Sequence, residues 1–225
     1  MKTQDNPRNI QEILLISLLE RPIDNFLTYF ICKNTQGSVK EIVAGLNSRC
    51  QRLDNRKVHG LELYLPGILR LQRRFSRKSK HRNFIAASVV DNDWLNSLPS
   101  TSSRLSMLVT EGLQMYLRKQ QVKQLFDKLI ENFSKSQFAF DSKSSMMLKI
   151  QLHLIEHMSA KFDWSISDIR EIQNWKSGCQ VMEIITFANF EVKVVQRLSV
   201  NLIKRLLFKY IPLFRNSYRL AFQLT

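Results

Sequence analysis

The chain has 225 residues, a mass of 26.5 kDa and a formal net charge of +15, from 34 Lys and Arg against 19 Asp and Glu. Hydrophobic residues make up 44%, which supports a core and excludes wholesale disorder. The six glycines are scattered. Neither G-x-G-x-x-G nor G-x-x-x-x-G-K-[ST] occurs, so the two familiar phosphate-cradling loops are absent.

In chain order, Ile10 to Leu19 is apolar and helical in composition, and Pro22 marks its end or the start of the next helix. Ile23, Phe26, Leu27, Phe30 and Ile31 then recur at helical spacing, with a stop near Gly37. Ser38 and Glu41 form a capping box ahead of Val39, Ile42, Val43 and Leu46, which predicts a second helix. A segment from Val58 is interrupted at Pro66-Gly67, residues 68–78 read as helix, and FIAASVV at 84–90 reads as a short strand. Residues 96–103 read as a linker, and 105–133 as one long helix or two with a bend. A polar break, SKSQFAFDSKSS, precedes an amphipathic helix at 147–158. Ser165 and Asp168 cap a further helix that ends near Gly178, and 179–190 is open between strand and helix. A basic amphipathic helix follows from Glu191, is interrupted at Pro212, and leads into a last short helix. The expected fold is mainly α and bundle-like, with a small β element near 84–90. The expected domains are 1–95 and 96–225.

The charge is concentrated in two blocks. Residues 38–82 hold 12 basic against 3 acidic residues, and 192–225 hold 7 basic and none acidic. On a helix at 68–78, Ile68, Leu69, Leu71 and Phe75 share one arc, while Arg70, Arg73, Arg74, Arg77 and Lys78 share the opposite one. Lys80, His81 and Arg82 extend the cluster. These cations lack acidic partners nearby in sequence, and an array of phosphates would relieve their repulsion. In the second block, Lys193, Arg197 and Lys204 line one helix side, and Lys209, Arg215 and Arg219 interleave with Phe208, Tyr210, Phe214 and Tyr218. Aromatics beside cations suit stacked bases and neutralised phosphates. The same pattern suits an anionic membrane surface or a buried helix with exposed cations.

The order of elements over about 23–90, with SVKEIVAGL as the second helix and small Ala44 and Gly45 where two helices would approach, resembles a winged helix-turn-helix. That resemblance implies a DNA-binding domain whose next helix enters the major groove. A second likeness, over FIAASVV, DNDWLNSL and TSSRLSMLVTEGLQMYLRK at 84–119, is to ribbon-helix-helix proteins, which read DNA through a paired ribbon.

The one pattern suggesting catalysis is H-x-x-E-H at His153 to His157, which resembles inverzincins and implies two zinc ligands with Glu156 activating water. Glu171, Glu183 and Glu191 are the glutamates that follow it, and Lys149 on the same face would repel a dication. Cys32, Cys50 and Cys179 are widely spaced and odd in number, which fits a reducing, cytoplasmic compartment. The N-terminus does not read as a secretory signal, and no run of 18 apolar residues occurs.

The expected function is therefore a non-catalytic, regulatory nucleic-acid-binding protein. DNA is favoured over RNA, no cofactor or metal is expected, and a homodimer or larger complex is open. The alternatives are an adaptor on an acidic protein or anionic membrane, and a zinc hydrolase.

Overall fold

The computed structural model describes residues 22–45, 48–76, 79–91, 93–98, 105–145, 162–175, 177–186 and 217–224. Its centre is a seven-stranded sheet of order β3-β2-β1-β4-β5-β7-β6. The strands are β1 (Ser38–Ile42), β2 (His59–Tyr64), β3 (Arg82–Ala86), β4 (Ser106–Thr110), β5 (Gln137–Lys143), β6 (Cys179–Thr186) and β7 (Ser217–Leu224). The first five run parallel to one another. β7 is antiparallel to both β5 and β6.

Helix α1 spans 22–33. The other helices are α2 (Arg49–Arg52), α3 (Pro66–Gln72), α4 (Asp93–Asn96) and α5 (Lys119–Asn132). Alternation along the strands divides the core between two faces of the sheet. Ile42, Leu63, Leu108, Phe138 and Phe140 pack with Val122, Leu125, Phe126 and Leu129 of α5. Val39, Met107, Val109 and Ala139 point the other way, against Ile23, Leu27, Phe30 and Ile31 of α1.

This architecture overturns the mainly α expectation and the helix-turn-helix likeness. SVKEI, read as the second helix, is the interior strand β1, flanked by β2 and β4, and all five of its residues are buried. A parallel strand covered on both faces shows no polar alternation, so its apolar residues mimic a helical stripe. The long helix read at 105–133 is β4, then a 3-10 turn at Gln114–Tyr116, then α5. The polar break contains β5, of whose seven residues five are buried. The capped helix after Ser165 is a 3-10 segment, Ile169–Asn174, in which Asp168 accepts from the Arg170 N–H. The strand near 84–90 exists as β3, but as a parallel edge strand of the large sheet, paired with β2, rather than as a wing or a paired ribbon. One sheet takes strands from both sides of residue 95, since β1 pairs with β4. The helices expected at 10–19, 147–158 and 191–211 lie outside the described residues. Among the described residues, no helix is long and apolar enough to cross a membrane.

Lys40 enters the α5 face of the core. Its Nζ donates to Ser38 Oγ (3.0 Å) and Ser106 Oγ (2.6 Å) and lies 5.2 Å from the centre of the Phe133 ring. With no carboxylate in this contact set, burial pushes its pKa down to about 8. Below pH 8 the group is charged in both the folded and unfolded chains, and the burial penalty is fully present. Between about pH 8 and the ordinary 10.5, the unfolded chain binds the extra proton, so this contribution favours folding increasingly as pH rises. In thermal melts from pH 7.5 to 10, as an approximate working window, the wild type is expected to gain stability relative to Lys40→Met. A constant difference across that window would contradict a depressed Lys40.

Candidate active site

β1 leads through α2 to β2 on one side of the sheet, whereas β4 leads through α5 to β5 on the other. The crevice outside the carboxyl ends of β1 and β4 is therefore a topological switch point, where open α/β sheets bind their ligands. The β1 turn is Val43-Ala44-Gly45, with φ of 60° at both Val43 and Gly45. The left-handed region costs a β-branched residue roughly 1–2 kcal/mol, so Val43 must be held there. Its side chain packs on the core, and the neighbouring Ala44 N–H donates to the Leu63 carbonyl at 3.2 Å. The β4 turn is Glu111-Gly112, with Gly112 at φ 67°. Asp141 Oδ1, from the second half of β5, accepts from the Gly112 N–H at 2.7 Å.

Beneath this crevice lies a buried ionic network. Arg49 of α2 has a fully buried side chain. Its guanidinium donates to Asp24 of α1 at 2.6 Å, to Glu41 of β1 at 2.7 Å and to Glu111 of the β4 turn. Burial opposes the charge on Arg49, but Glu41 and Glu111 outweigh it and move its pKa further up. Burial pushes the Glu41 carboxyl up to about 7, against the pull of Arg49. Cys50 Sγ donates to the second Glu41 oxygen at 3.4 Å, and burial followed by the Glu41 charge raises this thiol well above its ordinary value.

The register pairs Glu41 with Glu62 on the neighbouring strand, so both face the α1 layer. Glu62 is held by Arg82, which also donates to Ser76, and by the Tyr64 hydroxyl. Ligand atoms of Glu41, Cys50 and Glu62 lie within 4.8 Å of one another. Both carboxylates are already neutralised by arginines, so the trio works as a packed ionic network and is poorly suited to a cation.

Of the expected nucleic-acid contacts, Arg70, Arg73, Arg74 and Lys80 are exposed. Arg82 is instead buried against Glu62. Helix α3 ends at Gln72 and buries only Leu69 and Gln72, which leaves Ile68, Leu71 and Phe75 exposed. Arg77, Lys78, Lys193, Arg197, Lys204, Lys209 and Arg215 lie outside the described residues, as do His153 and His157. Arg219 is on β7. Sequence reasoning missed Arg49, Glu41, Glu111 and the two turns. The available signal was a glutamate in the middle of each of two apolar runs, SVKEIV and LELYL, because a charge inside a strand needs a buried partner.

A search against protein-family models finds no match. The chain is similar to the tetracenomycin polyketide synthesis O-methyltransferase of Streptomyces glaucescens, with 24% identity over 176 residues. The match covers 77% of this chain, and the chain spans 64% of that relative's length. Among solved structures, it resembles an S-adenosylmethionine-dependent methyltransferase from Mesorhizobium loti (TM-score 0.59, 11% identity, 84% of this chain and 92% of the other). It also resembles magnesium protoporphyrin IX methyltransferase from Synechocystis with bound SAH (TM-score 0.59, 9% identity, 100% and 90%). The chain thus has the α/β fold of these methyltransferases. These findings overturn the expectation of a non-catalytic, DNA-binding regulator and of a nucleic-acid partner. The adaptor and zinc-hydrolase readings fall with it. The charge clustering in residues 38–82 is in part internal, because Arg49 and Arg82 are buried against carboxylates of the chain itself.

Removing a buried charge that neutralises others typically costs 3–5 kcal/mol, whereas exposed pairs contribute roughly 0–1 kcal/mol. Arg49→Met is therefore expected to lower unfolding free energy by about 3–5 kcal/mol. Arg52→Met, which breaks a 2.7 Å bond from a 41% exposed side chain to Asp24, should cost less than about 1 kcal/mol. Urea denaturation checks both, and equal losses would contradict a central role for Arg49.

Proposed function

We propose that this chain is an S-adenosylmethionine-dependent methyltransferase acting on an oxygen of a small molecule. The observation that carries the proposal is the pair of glycine turns at the switch point. A Cβ built at Gly45 or at Gly112 would meet nothing within 4 Å. Both turns thus leave open space beside left-handed backbone, at the two strand ends where a ligand of this fold would lie. That open space leaves the two turns accessible to an adenosyl-amino-acid group, which residues 43–45 and 111–112 would hold. The choice of an oxygen and a small molecule is supported by the similarity to an O-methyltransferase of polyketide synthesis.

When bound, the group supplies an electrophilic methyl on a sulfonium. The chain's own residues supply position. Arg49 fixes the Glu111 carboxylate, and Asp141 fixes the Gly112 N–H, so the β4 turn is held from both sides. Buried β1 and β4 close the floor against water. Holding two reactants in line is itself worth several kcal/mol of barrier, and no further acid or base is needed where the acceptor oxygen is already ionised.

If the proposal holds, SAH at a hundredfold excess over its Kd will stabilise the folded chain by about 2.7 kcal/mol. Label from methyl-labelled S-adenosylmethionine will pass into the organic extract with one of a panel of phenols and carboxylic acids. Absence of both stabilisation and transfer would overturn it.

A further inference from the structure

The β2 end of the crevice departs from what a nucleoside site offers. In dinucleotide-binding α/β sheets, a carboxylate about 20 residues beyond the glycine turn accepts from the ribose hydroxyl. Counting from Gly45 reaches the end of β2, where the residues are Tyr64 and Leu65. β2 is hydrogen-bonded to β1, so this end borders the β1 turn.

Neither residue provides the acceptor. Tyr64 is buried, and its hydroxyl donates to Glu62. Glu62 is fully buried, and both its oxygens are occupied, one by Arg82 and the other by Arg82 and Tyr64. Leu65 is apolar and 47% exposed. After Glu62, the next acidic residue in the chain is Asp91, beyond β3, where its carbonyl meets Lys128 of α5. Among the described residues, the end of β2 is therefore carbon where hydroxyls would seek a carboxylate. Exposure of Ile68 one turn on extends the apolar surface.

We propose that Leu65 is a specificity-determining residue, and that this crevice takes an adenosyl group by apolar contact without reading its ribose hydroxyls. The proposal rests on the crevice being an adenosyl site. A site built to hydrogen-bond a hydroxyl rejects the analogue lacking it, whereas an apolar wall does not.

The test is calorimetric titration of the full chain with SAH and with its 2′-deoxy analogue, for the wild type and for Leu65→Asp. Leu65 is the uncapped N-cap of α3, where Asp is a favoured residue, so the variant is expected to fold. Leu65→Asn serves as a second, uncharged acceptor. The wild type should bind the two nucleosides within about threefold of each other, and Leu65→Asp should bind SAH about tenfold more tightly with the deoxy analogue unchanged. A wild-type preference for SAH of about tenfold, or no gain in either variant, would overturn the proposal. If neither nucleoside binds to any of the three proteins, the adenosyl reading itself fails and takes this inference with it.

Discussion

One guanidinium organises this molecule. Arg49 is fully buried and meets carboxylates from α1, β1 and the β4 turn. A charge so placed has no access to water and must be neutralised internally. The three carboxylates are thereby drawn to one point, although they lie 25, 8 and 62 residues from Arg49 in sequence. α1 is pinned to the sheet, and the β4 turn is pinned beside the β1 turn. The crevice at the switch point is a consequence of that convergence.

Around this knot, polar chemistry is arranged in layers. On the α1 face, Arg49 and Arg82 neutralise Glu41 and Glu62, which face each other across β1 and β2. The opposite face carries the larger apolar cluster and packs on α5, with Lys40 buried there against Ser38 and Ser106. The strained Val43 and the two open glycines sit where these layers end. Strain and open space at a strand terminus are tolerated because the sheet below is over-determined by packing. This juxtaposition of a rigid floor and open turns is what the proposed methyl transfer by positioning would require.

The sequence made some of this visible and hid the rest for identifiable reasons. The apolar spacing of Ile23, Leu27, Phe30 and Ile31 marks α1 plainly, because that helix has one wet and one dry face. SVKEI defeats the same logic. It is dry on both faces, its capping-box residues occur by coincidence, and its glutamate reads as solvent-facing until Arg49 is placed against it. FAFD in β5 hides in polar surroundings. The charge count was accurate, but a count cannot separate Arg82, locked on Glu62, from Arg73 and Arg74 on the surface. The candidate site left little trace, since only Gly45 and Gly112 distinguish its turns, and without strand assignments neither glycine stands out.

The central claim is that a ligand settles between the β1 and β4 turns. Amide chemical shifts followed by NMR during a titration with SAH test it most directly. The account predicts that the Gly45 and Gly112 amides move together and furthest. Shifts confined to other parts of the chain, with these two amides unmoved at saturation, would contradict it.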